Sequence, residues 1–291
     1  MVWVMTIKIV TDSTSSFPKD LADKENVGIL ESKVFLDDQD LKEITEINRK
    51  DLANSLPKLE PHPKTTMASP QEAFELFNQA AEEGFDEILY IGVSPTISNQ
   101  YNSAKVAATK VKDKIKVTLY ECGLSTTSQG ALVLNAVKLL KQGKKVDEII
   151  STLDEMKTQT FTMGVSPSFE ILFKTGRVQK KASLSVMSSV LQLKPLYEVV
   201  LDKGAQGAGA GKGYKGAIKK IAIKLSESTK DDVEYDLILS DAFNAKYFSL
   251  IEEEIRKVTN VKEVLKLEIP PCVMITTGVK SFQVTLTPHI D

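Results

Sequence analysis

Apolar and polar positions in the first half of the chain fall into alternating blocks. Short β-like runs at 7–11, 27–35, 87–93 and 116–121 are separated by stretches of helical periodicity. That rhythm is the one a parallel sheet with crossover helices produces. Ser69-Pro70-Gln71-Glu72 predicts a helix start, with Ser as N-cap, Pro at the first helical position and Glu completing a capping box. Phe74, Phe77 and Ala81 then share one face, and Gly84 ends the helix. A second helix is expected from near Ser98, with Tyr101, Ala104, Ala108 and Val111 turned inward, and a third over 127–142, stopping at Gly143.

The pattern changes near Thr158. A second series begins at 160–165 and ends in two β-like runs, 262–269 and 272–287, the latter broken at Gly278. The short Pro270-Pro271 join between them predicts antiparallel pairing. The expected fold class is therefore α/β with two domains. Residues 1–157 form an N-terminal α/β/α domain with a parallel sheet and hydroxyl-rich ligand turns, and residues 158–291 a C-terminal α/β domain with a mixed sheet. Residues 204–216, with 6 of the chain's 15 glycines, read as a mobile hairpin or loop.

Composition narrows the partners. The 291 residues, 42% apolar and 26% charged, suit an ordinary globular protein, and 37 basic against 39 acidic residues leave no electrostatic footprint for nucleic acid or an anionic membrane. Residues 1–10 are apolar but lack a basic flank, so they read as a first strand rather than a signal peptide. No run approaches the roughly 18 apolar residues of a membrane span. Cys122 and Cys272 fit no metal or redox spacing, which points to buried thiols in a reducing cytoplasm.

Candidate chemistry lies in three hydroxyl-rich turns, each between a β-like run and a helix: Asp12-Ser13-Thr14-Ser15-Ser16, Thr65-Thr66-Met67-Ala68-Ser69-Pro70 and Ser94-Pro95-Thr96-Ile97-Ser98. Strand ends of an α/β sheet collect ligands, and hydroxyls with free helix-start N–H groups receive small oxyanions. None of the three contains Lys or Arg, which favours a weakly charged head group held by neutral hydrogen bonds.

The order of these turns, followed by Phe173-Lys174-Thr175-Gly176-Arg177-Val178 and Leu193-Lys194-Pro195, resembles the bacterial DegV family over nearly the whole chain. The resemblance implies a two-domain α/β protein that holds one long-chain fatty acid and presents its carboxyl group to a separate fatty acid kinase, with no catalysis and no cofactor of its own. It places Thr65 and Ser98 on the carboxylate, with Thr66 and Thr276 beside them, Ser13 and Thr14 as ligand or turn residues, and Arg177 facing the partner or the domain junction. Three departures stand out. The family's histidine near the C-terminus is Thr276 here, its Ser-Gly-Thr-Tyr turn reads Ser98-Asn99-Gln100-Tyr101, and the Arg-containing stretch after Lys194-Pro195 is replaced by glycines and Lys212. Ile97, Phe161, Met163, Val186, Met187 and Val190 are candidates for an apolar lining.

Each site residue also has a plain structural role open to it. Thr65 and Thr66 can form a turn, Ser98 can cap a helix, the turn at 12–16 can cap one starting at Phe17, and Arg177 can cover a helix C-terminus. A rival function is nucleotide or phosphate-ligand binding through the Gly-rich segment 204–216, where Gly211-Lys212-Gly213-Tyr214-Lys215-Gly216 fits G-x-G-x-x-G, about ten residues beyond the nearest expected strand. A serine hydrolase finds no G-x-S-x-G, and the only histidines are His62 and His289, which also leaves a zinc enzyme short of ligands.

Overall fold

The computed structural model describes residues 5–179 and 192–291. The first half runs β1 (Ile7–Asp12), α1 (Lys19–Glu25), β2 (Gly28–Leu30), β3 (Lys33–Leu36), β4 (Gln39–Lys42), α2 (Arg49–Ser55), β5 (Lys64–Thr66), α3 (Pro70–Glu82), β6 (Glu87–Gly92), α4 (Gln100–Val111), β7 (Lys116–Glu121), α5 (Thr126–Lys141) and α6 (Val146–Lys157). It continues with β8 (Phe161–Val165), α7 (Phe169–Lys174), β9 (Val178–Gln179), β10 (Leu193–Val200), β11 (Gly204–Lys212), α8 (Gly213–Ser226), β12 (Tyr235–Asp241), α9 (Phe248–Arg256), β13 (Val261–Glu268), α10 (Pro271–Thr277) and β14 (Phe282–Pro288).

The chain is α/β, with a parallel sheet and a mixed one. Among the described residues the parallel sheet has the order β2-β1-β6-β7. Alternation along its strands sends Ile9, Leu89 and Ile91 to a core under α5 and α6, and Val10, Ile88 and Tyr90 to a core under α3 and α4. The α3 capping box forms as the sequence predicts, with Ser69 Oγ accepting from Glu72 N at 3.2 Å and Glu72 Oε2 accepting from Ser69 N at 2.8 Å. Gly84 and Gly143 end their helices with positive φ.

The mixed sheet has the order β13-β12-β14-β8-β10-β11-β9. One face packs on α8 and α9 through Ile218, Ile221, Leu225, Ile251 and Ile255. The opposite face meets α5 through hydroxyls: Thr127 Oγ1 lies 2.5 Å from Thr285 Oγ1, which lies 2.6 Å from Thr162 Oγ1. No helix among the described residues is long and apolar enough to cross a membrane. Cys122 and Cys272 are free and buried.

Four sequence expectations change. The run 27–35 is two strands in different sheets, because the chain turns at Glu31-Ser32 and β3 joins a small antiparallel sheet of order β4-β3-β5, which also makes a strand of Thr65 and Thr66. The run 272–287 is a helix and then a strand: α10 starts on Pro271 and is buried along its whole length, so its apolar side chains show no period. The β13 and β14 strands do not pair, since β12 lies between them, parallel to β13 and antiparallel to β14. Of the hairpin and the loop expected at 204–216, the hairpin forms, but as a long strand 204–212 paired antiparallel with β10 and followed by α8, and its glycines let α8 approach, since a Cβ at Gly211 would collide with the backbone of Ala217.

Candidate functional site

The loops after β1, β2, β6 and β7 meet at the carboxyl edge of the parallel sheet, beside the point where strand order reverses between β1 and β6. Thr14, Ser32, Ser98 and Ser125 from these loops, with Thr126 at the start of α5, line a cavity of about 80 Å³. Thr65, Thr66 and Met67 flank it from β5 and the residue that follows. Its remaining walls include Arg177 and Val178, Tyr197 and Val199 of β10, Ala205 of β11, Gln283 of β14, and Cys272, Val273, Thr276 and Thr277 of α10.

The buried Asp12 at the end of β1 holds the edge together. Its carboxylate accepts from Thr14 N at 3.2 Å, Tyr90 Oη at 3.1 Å, Val93 N at 2.9 Å and Gln129 Nε2 at 3.1 Å, joining β1, β6 and α5. Burial raises its pKa, and these donors oppose the rise. It caps the short turn at Ser13–Ser15, whereas α1 begins only at Lys19, so the helix expected at Phe17 starts later.

Arg177 is the cationic side chain on the cavity wall among the described residues. One guanidinium nitrogen donates to Ile97 O at 2.7 Å and another to Thr65 Oγ1 at 2.6 Å. Because a guanidinium only donates, Thr65 Oγ1 is the acceptor and its own proton is free to point elsewhere. Ser98 Oγ accepts from Gln100 N at 3.3 Å, and Thr66 Oγ1 donates to Asp40 Oδ1 at 3.2 Å on the exposed side. Thr276 Oγ1 donates back along α10 to Cys272 O at 3.4 Å. Thr14 Oγ1 donates to Asp12.

Thr65, Thr66, Ser98, Thr276, Thr14 and Arg177 thus border one cavity. Ser13 does not. It lies on a neighbouring cleft of about 600 Å³, where its hydroxyl meets Glu43 and accepts from Ser32 N at 2.8 Å. Glu43, 1% exposed, also accepts from Cys272 N at 2.8 Å, so it ties the β1 turn to α10. Burial lifts its pKa to about 7 despite those two donors.

An uncharged set of hydroxyls is not what surrounds the cavity, because Arg177 enters from the other half of the chain. Ile97 lines it, but Met163 and Phe161 belong to the core under α8, and Val186, Met187 and Val190 lie outside the described residues. Ser125, Thr126, Tyr197 and Gln283 were missed. Leu124-Ser125-Thr126 is a fourth hydroxyl turn at a strand end, the same signal that marked the other three; Tyr197 and Gln283 carry no local signal.

Two other clusters bear on rival chemistries. Asp236, Glu263 and His289 bring potential metal-ligand atoms within 4.8 Å of one another, with the Lys138 ammonium 3.4 Å from both carboxylates in a cation's place. The G-x-G-x-x-G stretch begins in the last two residues of β11 and opens α8, closer to a strand than the sequence suggested, but Gly211 there serves close packing against Ala217.

Comparison with known proteins agrees with this architecture. A curated DegV domain-containing protein of Clostridium acetobutylicum is 22% identical over 272 residues, 94% of this chain and 95% of the relative. One from Halalkalibacterium halodurans is 32% identical over 190 residues, 65% of this chain and 66% of the relative. Among solved structures, a DegV family protein from Thermus thermophilus, described by its fatty acid binding, superposes with a TM-score of 0.87 at 22% identity, covering 98% of this chain and 100% of that one. DegV from Bacillus subtilis, described as a fatty acid binding protein, does so at 0.83 and 23%, covering 98% and 100%. These likenesses carry the fold, and the family model for DegV, an uncharacterised protein family by its description, matches residues 6–289: the chain belongs to the DegV family.

Proposed function

We propose that this protein is a cytoplasmic, non-catalytic carrier that binds one long-chain fatty acid and presents its carboxylate to a fatty acid kinase. The observation that carries this is the Arg177 fork on the cavity wall, which fixes the Thr65 hydroxyl and the Ile97 carbonyl next to Ser98 in sequence. A carboxylate there meets one full positive charge and two hydroxyls, with Thr66, Thr276 and Thr14 on the rim. Charge-assisted bonds of this kind contribute about 1.5–3 kcal/mol each and orient the head group. On the same cavity, Ile97, Val178, Tyr197 and Ala205 form one apolar cluster with Leu172 and Phe173.

Affinity comes from the tail. Burying about 14 methylenes at roughly 0.8 kcal/mol each gives about 11 kcal/mol gross, against an association cost of roughly 4–15 kcal/mol. The cavity of about 80 Å³ holds on the order of half a dozen water-sized groups, enough for the carboxyl group and the first carbons. The rest of the tail must part the aliphatic members of that cluster, Ile97, Val178 and Leu172. Described relatives that bind fatty acids with the same fold support the reading.

Extraction of the purified protein with organic solvent, followed by mass spectrometry, tests it. A stoichiometric long-chain fatty acid is expected. A nucleotide in the extract, or loaded protein that yields no acyl phosphate with a fatty acid kinase, would count against the binding and the presenting parts of the proposal respectively.

A further inference from the structure

We propose that Tyr197 is the stop that limits how far an acyl chain penetrates the cavity, and so sets the chain length the protein accepts; this rests on the fatty acid reading above. Tyr197, 2% exposed, is the one aromatic ring among the described cavity-lining residues. Its place is built by the sheet. On β10 it stands opposite Gly164 of β8 on one side and Gly207 of β11 on the other. With no side chains there, the ring can lie down on the sheet, and a Cβ at Gly164 would run into it.

The hydroxyl is pinned as well. It accepts from Gln283 Nε2 at 2.9 Å, and Gln283, opposite Gly164 on β14 and fully buried, in turn accepts from Thr127 Oγ1 at 3.4 Å and Ser240 Oγ at 3.3 Å. Swinging the ring aside would leave buried polar atoms unpaired, which makes it a fixed wall rather than a yielding one. Among the other apolar residues that line the cavity, Val178, Val199, Val273 and Ala205 are small, and Leu172 and Phe173, the bulkier members of the Tyr197 cluster, do not line it. A chain anchored at Thr65 and Arg177 and running past Ile97 and Val178 therefore meets Tyr197 as its first rigid obstacle.

The test loads wild type, Tyr197→Ala, Tyr197→Phe and Ala205→Leu with an equimolar mixture of even-numbered saturated fatty acids. Folding is checked by cooperative melting, and the retained acids are quantified by mass spectrometry. Tyr197→Ala should shift retention toward longer acids, with about tenfold enrichment for each two added carbons that become buried. Tyr197→Phe, which keeps the ring but loses the pin from Gln283, should shift retention in the same direction but less far than Tyr197→Ala, and Ala205→Leu should shift it toward shorter acids. A folded Tyr197→Ala protein with the wild-type profile overturns the stop, as does an unchanged profile in Ala205→Leu should Tyr197→Ala not fold. A wild type that retains none of the acids removes the fatty acid reading itself, and the stop with it.

Discussion

Glu43 offers the sharpest thermodynamic test of the junction between the β1 turn and α10. Its carboxyl is buried, accepts from Ser13 Oγ and Cys272 N, and has its pKa raised from 4.5 to about 7, chiefly by burial and slightly by the like charge of Glu31. A raised acid pKa means that the folded state holds a proton the unfolded chain has already lost. The group therefore costs nothing below about pH 4.5, and its penalty grows as pH rises until it is complete above about pH 7. A gap of this size corresponds to about 3 kcal/mol. Glu43→Gln removes the titration while keeping the shape. Its Oε1 can accept from Cys272 N and its Nε2 can donate to Ser13 Oγ, which already accepts from Ser32 N and has a lone pair left. Urea denaturation of wild type and variant at about pH 5 and about pH 8 gives the difference. The variant should gain on wild type by about 2–3 kcal/mol between the two conditions, since part of the penalty is already present at about pH 5. A stability difference that stays flat with pH would show that Glu43 ionises in the fold without penalty, and the account of a desolvated clamp would be wrong.

Two further outcomes follow from the geometry. Arg177→Ala should weaken fatty acid binding roughly 10- to 100-fold in a fluorescent-acid titration, and Arg177→Lys should restore little of it because an ammonium cannot span Ile97 O and Thr65 Oγ1 as a fork does; equal affinity in the Ala variant refutes the head-group role. Gly211→Ala should destabilise the fold by about 1–3 kcal/mol, because the added methyl meets the backbone of Ala217 rather than a movable side chain, and an unchanged melting temperature would mean that α8 does not sit on β11 as described.

What the sequence conveyed was local. The parallel sheet could be read because Ile9 and Val10, or Leu89 and Tyr90, alternate between two helix layers, and because Ser69, Gly84 and Gly143 punctuate the helices between them. The misread segments are those whose state is decided by neighbours far along the chain. In α10, Val273, Met274 and Ile275 are buried, so no polar face marks the helix, and β-branched residues suggest a strand. In β11 the Gly/Ala run lacks the side chains that advertise a strand, and only pairing with β10 makes it one. The same division holds for the site. Thr14, Thr65, Thr66 and Ser98 sit in turns with a recognisable composition, and all four reach the cavity. The charge at that cavity comes from Arg177, 112 positions from the hydroxyl it orients. No turn composition could report that guanidinium. Yet it decides that Thr65 accepts on one side and keeps its proton for whatever lies on the other, so the half of the chain without the hydroxyl turns sets the polarity of the half that has them.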